Sequence, residues 1–468
     1  QTGRMATDHE SFWMQQNGHR RQRLSLNDAG VVATDGLDAD VVIIGGGLSG
    51  LWTAYHLTEA EPTWRIVILE AHTVGYGASG RNGGWLSSLI PGNRAEWADQ
   101  GRLLDRVVAL QRAMVDGIHH TCATAAAHGI NIDAAQGGNV VVATTEAGVA
   151  RLRARRDTDL RYGLHDHEVQ WLDAESATAH LNVRGTLAGL YYPDVTRIDP
   201  AKLVVGLAEV VEKRGVRIYE HSPVHTIAPG AVEVGATRLT APRIVIATEG
   251  YSGPLVGRRR IVPVNSSMIA TQQLTEAEWA HIGWAGNECL SDAAHTFIYA
   301  QRTADGRIAI GGRGNPYRFA SGTGDGRTPT PTVDLLLRRL HDYFPAVEFR
   351  ADHAWSGVLG VTRDWCTSVR FDHSTGIGHT LGYAGHGVTT ANVASRSLAD
   401  LMLRRDTVHS TLPWVDHRSP SWEPEPIRWL GIHTMYRLFR VADRWEEARH
   451  APRTSLIARF AGKLAGLG

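Results

Sequence analysis

Apolar positions along this chain alternate between short unbroken runs and helical spacings. Val41-Val-Ile-Ile44, Arg65-Ile-Val-Ile-Leu69 and Arg243-Ile-Val-Ile-Ala247 read as strands buried on both faces. Leu51, Ala54, Tyr55 and Leu57 recur at helical spacing, as do Leu203, Leu207 and Val211. The second of these helices opens on Asp199-Pro200, a cap followed by proline at the first helical position, and runs to Gly215. Val216–Glu220, Ser222–Ile227, Gly138–Ala143 and Gly189–Pro193 add strands, and residues 95–130 and 147–180 carry helical patterns. Repeated strand–helix–strand units predict a mostly parallel sheet. The character changes over residues 259–320. Arg260–Val264, Ser267–Thr271, Thr296–Ala300 and Arg307–Gly311 read as antiparallel strands, with Asp305-Gly306 as a hairpin turn. A Gly/Thr/Pro-rich loop at 321–331 and a helix over Leu335–Phe344 follow. Leu381–Thr390 reads as strand, glycine turn and helix start, and the helix continues through Val393, Leu398 and Leu401. The fold class is α/β (α+β overall), a Rossmann-like domain interleaved with an antiparallel-sheet domain.

Candidate chemistry begins at residues 40–50. Gly45, Gly47 and Gly50 fall at G-x-G-x-x-G spacing between a strand and a helix, the order a dinucleotide fingerprint requires. Gly45 permits the tight turn, Gly47 lets the backbone approach a pyrophosphate, and Gly50 lets the helix pack closely on the strand. The helix N-terminus presents free N–H groups and about half a positive charge to the anion. Glu70 ends the second strand about 20 residues past the last glycine, where an acid accepts hydrogen bonds from an adenosine ribose. Gly75–Trp85 is too glycine-rich for a helix interior and reads as backbone pressed against a flat ligand, with Arg81 and Asn82 serving phosphate and ring edges. The turn at Gly385 offers a second helix N-terminus to a polar ligand edge.

The chain of 468 residues exceeds the ~250–300 at which single cores split, so two domains are expected. Its 48 cationic and 48 acidic residues cancel, which argues against a nucleic-acid partner. Cys122, Cys289 and Cys366 are far apart and form no metal pair or disulfide framework, which points to a reducing compartment, the cytoplasm, and to no metal. The 14 tryptophans read as core or as the lining of an aromatic pocket. No apolar run reaches the ~18–20 residues of a membrane span. Arg20-Arg21 lacks the following apolar core of an export signal, and Gln1–Arg4 ahead of Met5 reads as an expression remnant. The polar arm 5–37, with Phe12 and Trp13 as its aromatic pair, is expected to pack on the surface or to close over a pocket as a lid. Residues 411–426 are proline-rich. Beyond them Trp429, Ile432, Tyr436 and Phe439 share a helical face, with Arg428, Arg437, Arg440 and Arg444 elsewhere. Asp443, Glu446 and Glu447 interrupt the positive charge, so docking on the protein or a neighbouring subunit is favoured over a membrane surface.

Four stretches together resemble the D-amino-acid-oxidase-type (DAO) superfamily of FAD-dependent amine oxidoreductases, over roughly residues 38–405. They are the opening fingerprint with Glu70; Gly77-Ala-Ser-Gly-Arg-Asn-Gly-Gly84; Pro223-Val224 with Ala247-Thr-Glu-Gly250; and Gly385-His-Gly-Val388 after Trp355-Ser-Gly357. The glycine-rich run looks most like the gamma-glutamylputrescine oxidase branch. The resemblance implies FAD, held non-covalently. Asn82 stands where some relatives link flavin through histidine or cysteine, and Cys366 follows the Thr-Arg-Asp segment that a linking cysteine would precede. By the resemblance, Gly45, Gly47, Leu48, Ser49 and Gly50 attend the pyrophosphate, and Glu70 and Ala71 the ribose. Gly77, Ala78, Ser79, Arg81, Asn82, Gly83 and Gly84 attend the ribityl chain and isoalloxazine. Val224 attends the adenine, with Thr248, Gly250 and Gly357 also at the cofactor, and Gly385, Gly387, Val388 and Thr389 donate to the flavin N1–C2=O edge. The implied division is an arm at 5–37; an FAD-binding domain at 38–92, 190–258 and 351–410; a substrate domain at 93–189 and 259–350; and an extension at 411–468.

The implied reaction moves hydride from the α C–H of a neutral amine or amino acid to the flavin. The resulting imine hydrolyses to a carbonyl compound, and O2 takes the electrons to give H2O2. His386, Tyr299 and Arg313 are the expected catalytic groups, and Trp85 and Trp355 the expected apolar wall. A flavin monooxygenase is the enzymatic rival, although its usual late Gly-Asp motif is replaced here by Gly-His-Gly. A disulfide reductase is excluded by the lack of a close cysteine pair. A flavin-binding subunit or an electron-transferring dehydrogenase, and a homo-oligomer through the C-terminal helices, stay open.

Overall fold

Two large sheets carry the fold in this computed structural model, which describes residues 10–17, 21–29, 37–284, 286–312 and 317–466. The first has six strands in the order Arg217–Tyr219, Ile66–Leu69, Val41–Ile44, Ile244–Ile246, Ile377–Leu381 and Ser368–Asp372. The first five run parallel and the last is antiparallel to its neighbour. Side-chain alternation divides the apolar runs between two cores. Val41, Ile43, Ile66, Ile68 and Val245 face the helices Leu48–Ala60, Leu104–Ala127, Pro200–Lys213 and Gly387–Met402. Val42, Ile44, Val67, Leu69, Ile244 and Ile246 face a four-stranded sheet containing Thr226–Ala228, Ala231–Val234 and Thr237–Thr240. The strand expected over Ser222–Ile227 is therefore shorter and lies in this small sheet, because Pro223 has no N–H to give to a ladder.

The second sheet has eight strands: Ala351–Val361, Val262–Thr271, Ile308–Gly312, Ile298–Arg302, Cys289–Asp292, Asn139–Ala143, Ala188–Tyr192 and Gln170–Asp173. All pairs are antiparallel except Cys289–Asp292 with Asn139–Ala143. The two strands expected at Arg260–Val264 and Ser267–Thr271 are one. Ala351–Val361 pairs along its whole length, so Asn265 and Ser266 do not interrupt it. Gly306 adopts φ +80° in the turn expected at Asp305-Gly306.

The described segments toward both ends, residues 10–17 and 427–466, pack on the body. In the arm, Phe12, Trp13 and Met14, in the short helix Phe12–Gln16, are almost wholly buried against the body. Phe12 stacks on Trp355 and Trp13 meets the same ring edge-on. Three successive apolar residues point into one core from different sides, a pattern no helical or strand period reveals. The helices Ile427–Ala448 and Leu456–Ala465 dock on their own chain, with Ile432, Tyr436 and Phe439 packed in one cluster with Val262, Val264 and Trp365. Among the described residues no helix is long and apolar enough to cross a membrane.

Candidate functional site

The fingerprint turn sits at the C-terminal end of Val41–Ile44 and opens an elongated cleft. Gly45 has φ +111°, and a Cβ there would lie 2.6 Å from the Ala247 carbonyl oxygen. At Gly50 a Cβ would lie 2.0 Å from the Gly45 carbonyl oxygen, so only glycine lets the helix Leu48–Ala60 start so close to the strand. Gly47, the N-cap, supplies no side-chain cap. The Leu48 N–H is taken by Ser79 Oγ at 2.8 Å, and the rest of the helix start faces the cleft. Glu70 lines the cleft and accepts from the Gly46 N–H at 2.7 Å and the His72 N–H at 2.9 Å. Burial pushes its pKa up, against those two backbone donors.

The glycine-rich loop is held from behind. Five successive carbonyls each accept from outside the loop. Ser11 Oγ donates to Gly80, Trp355 Nε1 to Arg81 at 2.9 Å, and Trp13 Nε1 to Asn82 at 2.9 Å. Gln301 Nε2 donates to Gly83, and the Ile198 N–H to Gly84 at 2.8 Å. The Asn82 side chain closes the loop on itself, donating to the Ala78 and Ser79 carbonyls and accepting from the Gly84 N–H. With the carbonyls drawn to the back, the N–H groups of Asn82 and Gly83 have no protein acceptor among the described residues. Arg81 corrects its expected role. Its guanidinium turns away from the cleft, donates to the Tyr76 and Ser356 carbonyls, and is only 7 % exposed, a burial that lowers its pKa.

At the far end of the cleft the turn Gly382–Gly385 feeds the helix Gly387–Met402, whose N-cap His386 supplies no side-chain cap. Gly382, Ala384 and Gly385 all have positive φ. Glu249, which lies in the Ala247–Gly250 stretch but to which the resemblance assigns no role, locks this turn. It is half-buried at the cleft wall, accepts from the Gly382 N–H at 3.1 Å, the Tyr383 N–H at 2.7 Å and the Gly360 N–H, and loss of solvent pushes its pKa up to about 7. Tyr383 Oη shares hydrogen bonds with Ser49 Oγ and Thr380 Oγ1, each 2.8 Å, tying the two uncapped helix starts together. The sequence marks Glu249 only as an acid in the Ala247–Gly250 stretch that follows the strand Ile244–Ile246.

Of the expected cofactor residues, the cleft is lined by Gly45, Gly47, Leu48, Ser49, Glu70, Ala71, Gly77, Ala78, Ser79, Asn82, Val224, Thr248, Gly250, Gly385, Gly387 and Val388. Gly50, Arg81, Gly83, Gly84, Gly357 and Thr389 stand outside its lining and shape it from behind. Thr389 Oγ1 accepts from the Ser87 N–H at 2.9 Å, and a Cβ at Gly357 would meet Arg81. Tyr251 and Tyr383 line the cleft and have no motif to announce them. Tyr299 comes down from the eight-stranded sheet. Its hydroxyl shares a 2.8 Å hydrogen bond with Ser266, and its ring fills the space where a Gly83 Cβ would stand. Trp85 meets that ring edge-on, and its buried Nε1 has no hydrogen-bond partner among the described residues. Trp355 corrects the expected wall: it is 1 % exposed, in the core behind the loop. The His386 ring is not part of the cleft lining, although its backbone starts the helix. Arg313 lies outside the described residues. Cys366 is fully buried, away from the cleft, with its thiol near the Asn93 carbonyl; Cys122, Cys289 and Cys366 are all free.

A separate cavity of about 440 Å³ opens between the C-terminal helices and Trp365.

Comparison with known proteins bears on this geometry. The family model described as FAD dependent oxidoreductase, DAO, matches residues 40–401. The gamma-glutamylputrescine oxidoreductase of Escherichia coli K12 is 29% identical over 376 residues, covering 79% of this chain and 84% of that protein. The glycine oxidase of Bacillus licheniformis is 24% identical over 380 residues, covering 78% and 93%. Among solved structures, glycine oxidase from Geobacillus kaustophilus superposes with a TM-score of 0.66 at 21% identity, covering 82% of this chain and 99% of that one, a likeness of fold.

Proposed function

The chain belongs to the DAO family of FAD-dependent oxidoreductases, and from that premise we propose that it oxidises a C–N bond of an amine or amino acid. The proposed products are an imine, which water hydrolyses to a carbonyl compound, and H2O2 from O2. Support for the substrate class comes from the relatives, named for gamma-glutamylputrescine and for glycine. The observation that carries the reading is the cleft itself. Two helices of 13 and 16 residues, neither with a capping side chain on its N-cap residue, point their N-termini into it, and between them runs a loop whose Gly80–Gly84 carbonyls are held from behind.

That donor set fits FAD. A pyrophosphate needs a Cβ-free strip and free N–H groups: Gly45–Gly47 supply the strip, and the Gly47 and Ser49 N–H groups, which have no acceptor among the described residues, supply the donors. Glu70 keeps lone pairs for a ribose after accepting its two backbone bonds. Gly385–Val388 present N–H groups and a helix dipole to the edge of a flat ring that gains negative charge on reduction. FAD, when bound, supplies the electron sink for the α C–H. The protein holds it without a covalent bond, since Asn82 cannot form one and Cys366 is buried elsewhere. Tyr299, with Trp85 beside it, stands over Gly83 and positions the reacting carbon; the Trp85 N–H is free to meet a substrate acceptor. His386 acts through its backbone rather than as an acid or base. The six-stranded sheet with its helices serves as the cofactor-binding part and the eight-stranded sheet as the substrate-binding part. Three free thiols fit a reducing, cytoplasmic compartment.

The test is the visible spectrum of the purified protein during anaerobic addition of amines, polyamines and amino acids. Bleaching of the oxidised-flavin band by one class supports the proposal and names the substrate group. A yellow protein that bleaches with none of them refutes the amine reading while leaving the flavin.

A further inference from the structure

The C-terminal helices have two apolar faces each. The inner face is accounted for, since Ile432, Tyr436 and Phe439 on one helix and Ala458, Ala461 and Ala465 on the other pack in a single cluster. The outer face is not. At 100° per residue, Ile427, Leu430, Val441 and Trp445 fall on one exposed stripe outside the buried face, with Arg437, Arg440 and Arg444 alongside it, opposite the buried residues. The shorter helix repeats the arrangement: Leu456, Phe460 and Leu464 form the outer ridge, flanked by Arg459 and Lys463. These ridge residues are 42% to 76% exposed, and they make up seven of the twelve exposed large hydrophobic side chains among the described residues. Because both helices bury their inner faces in one cluster and pack on each other, both ridges face away from the body. Singly scattered exposed apolar residues need no explanation, but this concentration does.

Charge identifies the occupant. Residues 427–466 hold eight of the 48 cationic residues and three of the 48 acids, in a chain of zero formal net charge. Two of the three acids turn inward. Asp443 accepts from the His295 and Thr296 N–H groups, and Glu446 pairs with Arg151 and His295. Arg428 also turns inward, to Glu425 and the Arg258 carbonyl. Seven exposed cations therefore face one exposed acid, Glu447, and none of the seven is in an ion pair among the described residues. A second copy of this chain would bring like charges together if it paired through the same face. An apolar ridge flanked by cations matches instead the boundary between anionic headgroups and acyl chains, into which such a ridge sinks by about 5–10 Å.

We propose that residues 427–466 form a peripheral docking surface for an anionic lipid membrane, with the outer ridges inserted and the flanking arginines on the headgroups. The surface is independent of the oxidation proposed above and leaves the inner face of both helices in place.

The test is co-flotation of the full-length, flavin-loaded protein with vesicles. One set is phosphatidylcholine alone and the other contains about 30% phosphatidylglycerol. Expected is binding to the anionic vesicles only, weakened at least about tenfold between low and high salt. Phe460→Ser with Leu464→Ser, and separately Arg440→Gln with Arg444→Gln, are each expected to lower binding about tenfold or more while the flavin spectrum and turnover stay unchanged. The proposal is overturned by no binding to either vesicle, by equal binding to both, or by binding that neither double variant weakens. It is equally overturned by a monomer–dimer equilibrium that F460S abolishes, which would make the face a contact between copies.

Discussion

Trp13 lies outside residues 40–401 yet donates to the carbonyl of Asn82, in the middle of the loop that lines the cleft. Trp13→Phe keeps an aromatic ring in the same buried slot and removes that one donor. The Asn82 carbonyl is then left without its partner, a loss of about 1–3 kcal/mol for a buried acceptor. If the bond holds the peptide with its N–H toward the cleft before FAD arrives, the loss falls on the fraction of competent loop. Apparent FAD affinity then weakens by between about fivefold and about 150-fold. The upper figure applies when the whole loss appears in binding, and tenfold is a reasonable centre. The assay is titration of apoprotein with FAD, followed by quenching of flavin fluorescence, beside thermal unfolding of the apoprotein. Gln16→Ala is the control. It is on the same short helix, but its exposed side chain reaches Asp305 rather than the loop, so FAD affinity should not change. If W13F lowers the unfolding temperature of the apoprotein and leaves FAD affinity within about twofold of the parent, the bond only stabilises the fold and the reasoning fails.

Gly50→Ala should give little or no flavin-loaded protein, because its Cβ would sit 2.0 Å from the Gly45 carbonyl oxygen; soluble yield and the ratio of flavin to protein absorbance measure this. Glu249 takes up a proton on folding, because its pKa rises from 4.5 to about 7. Its stabilising contribution is present below pH 4.5 and lost as pH rises to 7, by about 3 kcal/mol at most, so Glu249→Gln should flatten denaturant-measured stability across that window. Three histidines act in the opposite sense. His56 is lowered to about 3, and His379 and His409 to about 4, mainly by burial, so the unfolded chain binds more protons and stability should fall as pH drops below 6.5; replacing His379 with Gln should reduce that acid slope. Acid precipitation should release all the flavin to the supernatant, and Cys366→Ser should leave that result unchanged; any flavin retained on the precipitated chain contradicts the non-covalent reading.

The cofactor end of the cleft was legible because its requirements are local. A strand that must turn at once into a helix needs Gly45 and Gly50 within a few residues: the positive φ of Gly45 and the Gly45 carbonyl that excludes a Cβ at Gly50 are local, and only the Ala247 carbonyl behind Gly45 is distant in sequence. The apolar runs at Val41, Ile66 and Ile244 likewise declare burial on both faces, and they lie side by side in the parallel sheet. Arg81 and Trp355 were harder to place. A cation and an indole beside a ligand loop look the same in sequence whether they face the ligand or hold the loop from behind. Only the strand Ala351–Val361, brought against the loop, puts Trp355 and the Ser356 carbonyl where they engage Arg81.

By itself the sequence determined the strand–turn–helix that starts the cleft, the glycines that keep it open, the acid that follows, and the change from parallel to antiparallel sheet. These follow from residue-by-residue sterics and from side-chain periods of two and 3.6. Tertiary structure alone decided that Trp13 and Gln301, 69 and 218 residues from their acceptors, turn the loop carbonyls away from the cleft. It also decided that Glu249 locks the Gly382–Gly385 turn, and that one face of each C-terminal helix is left outward. Such choices depend on which distant surfaces meet, and a donor carries no mark in the sequence of the carbonyl it will find.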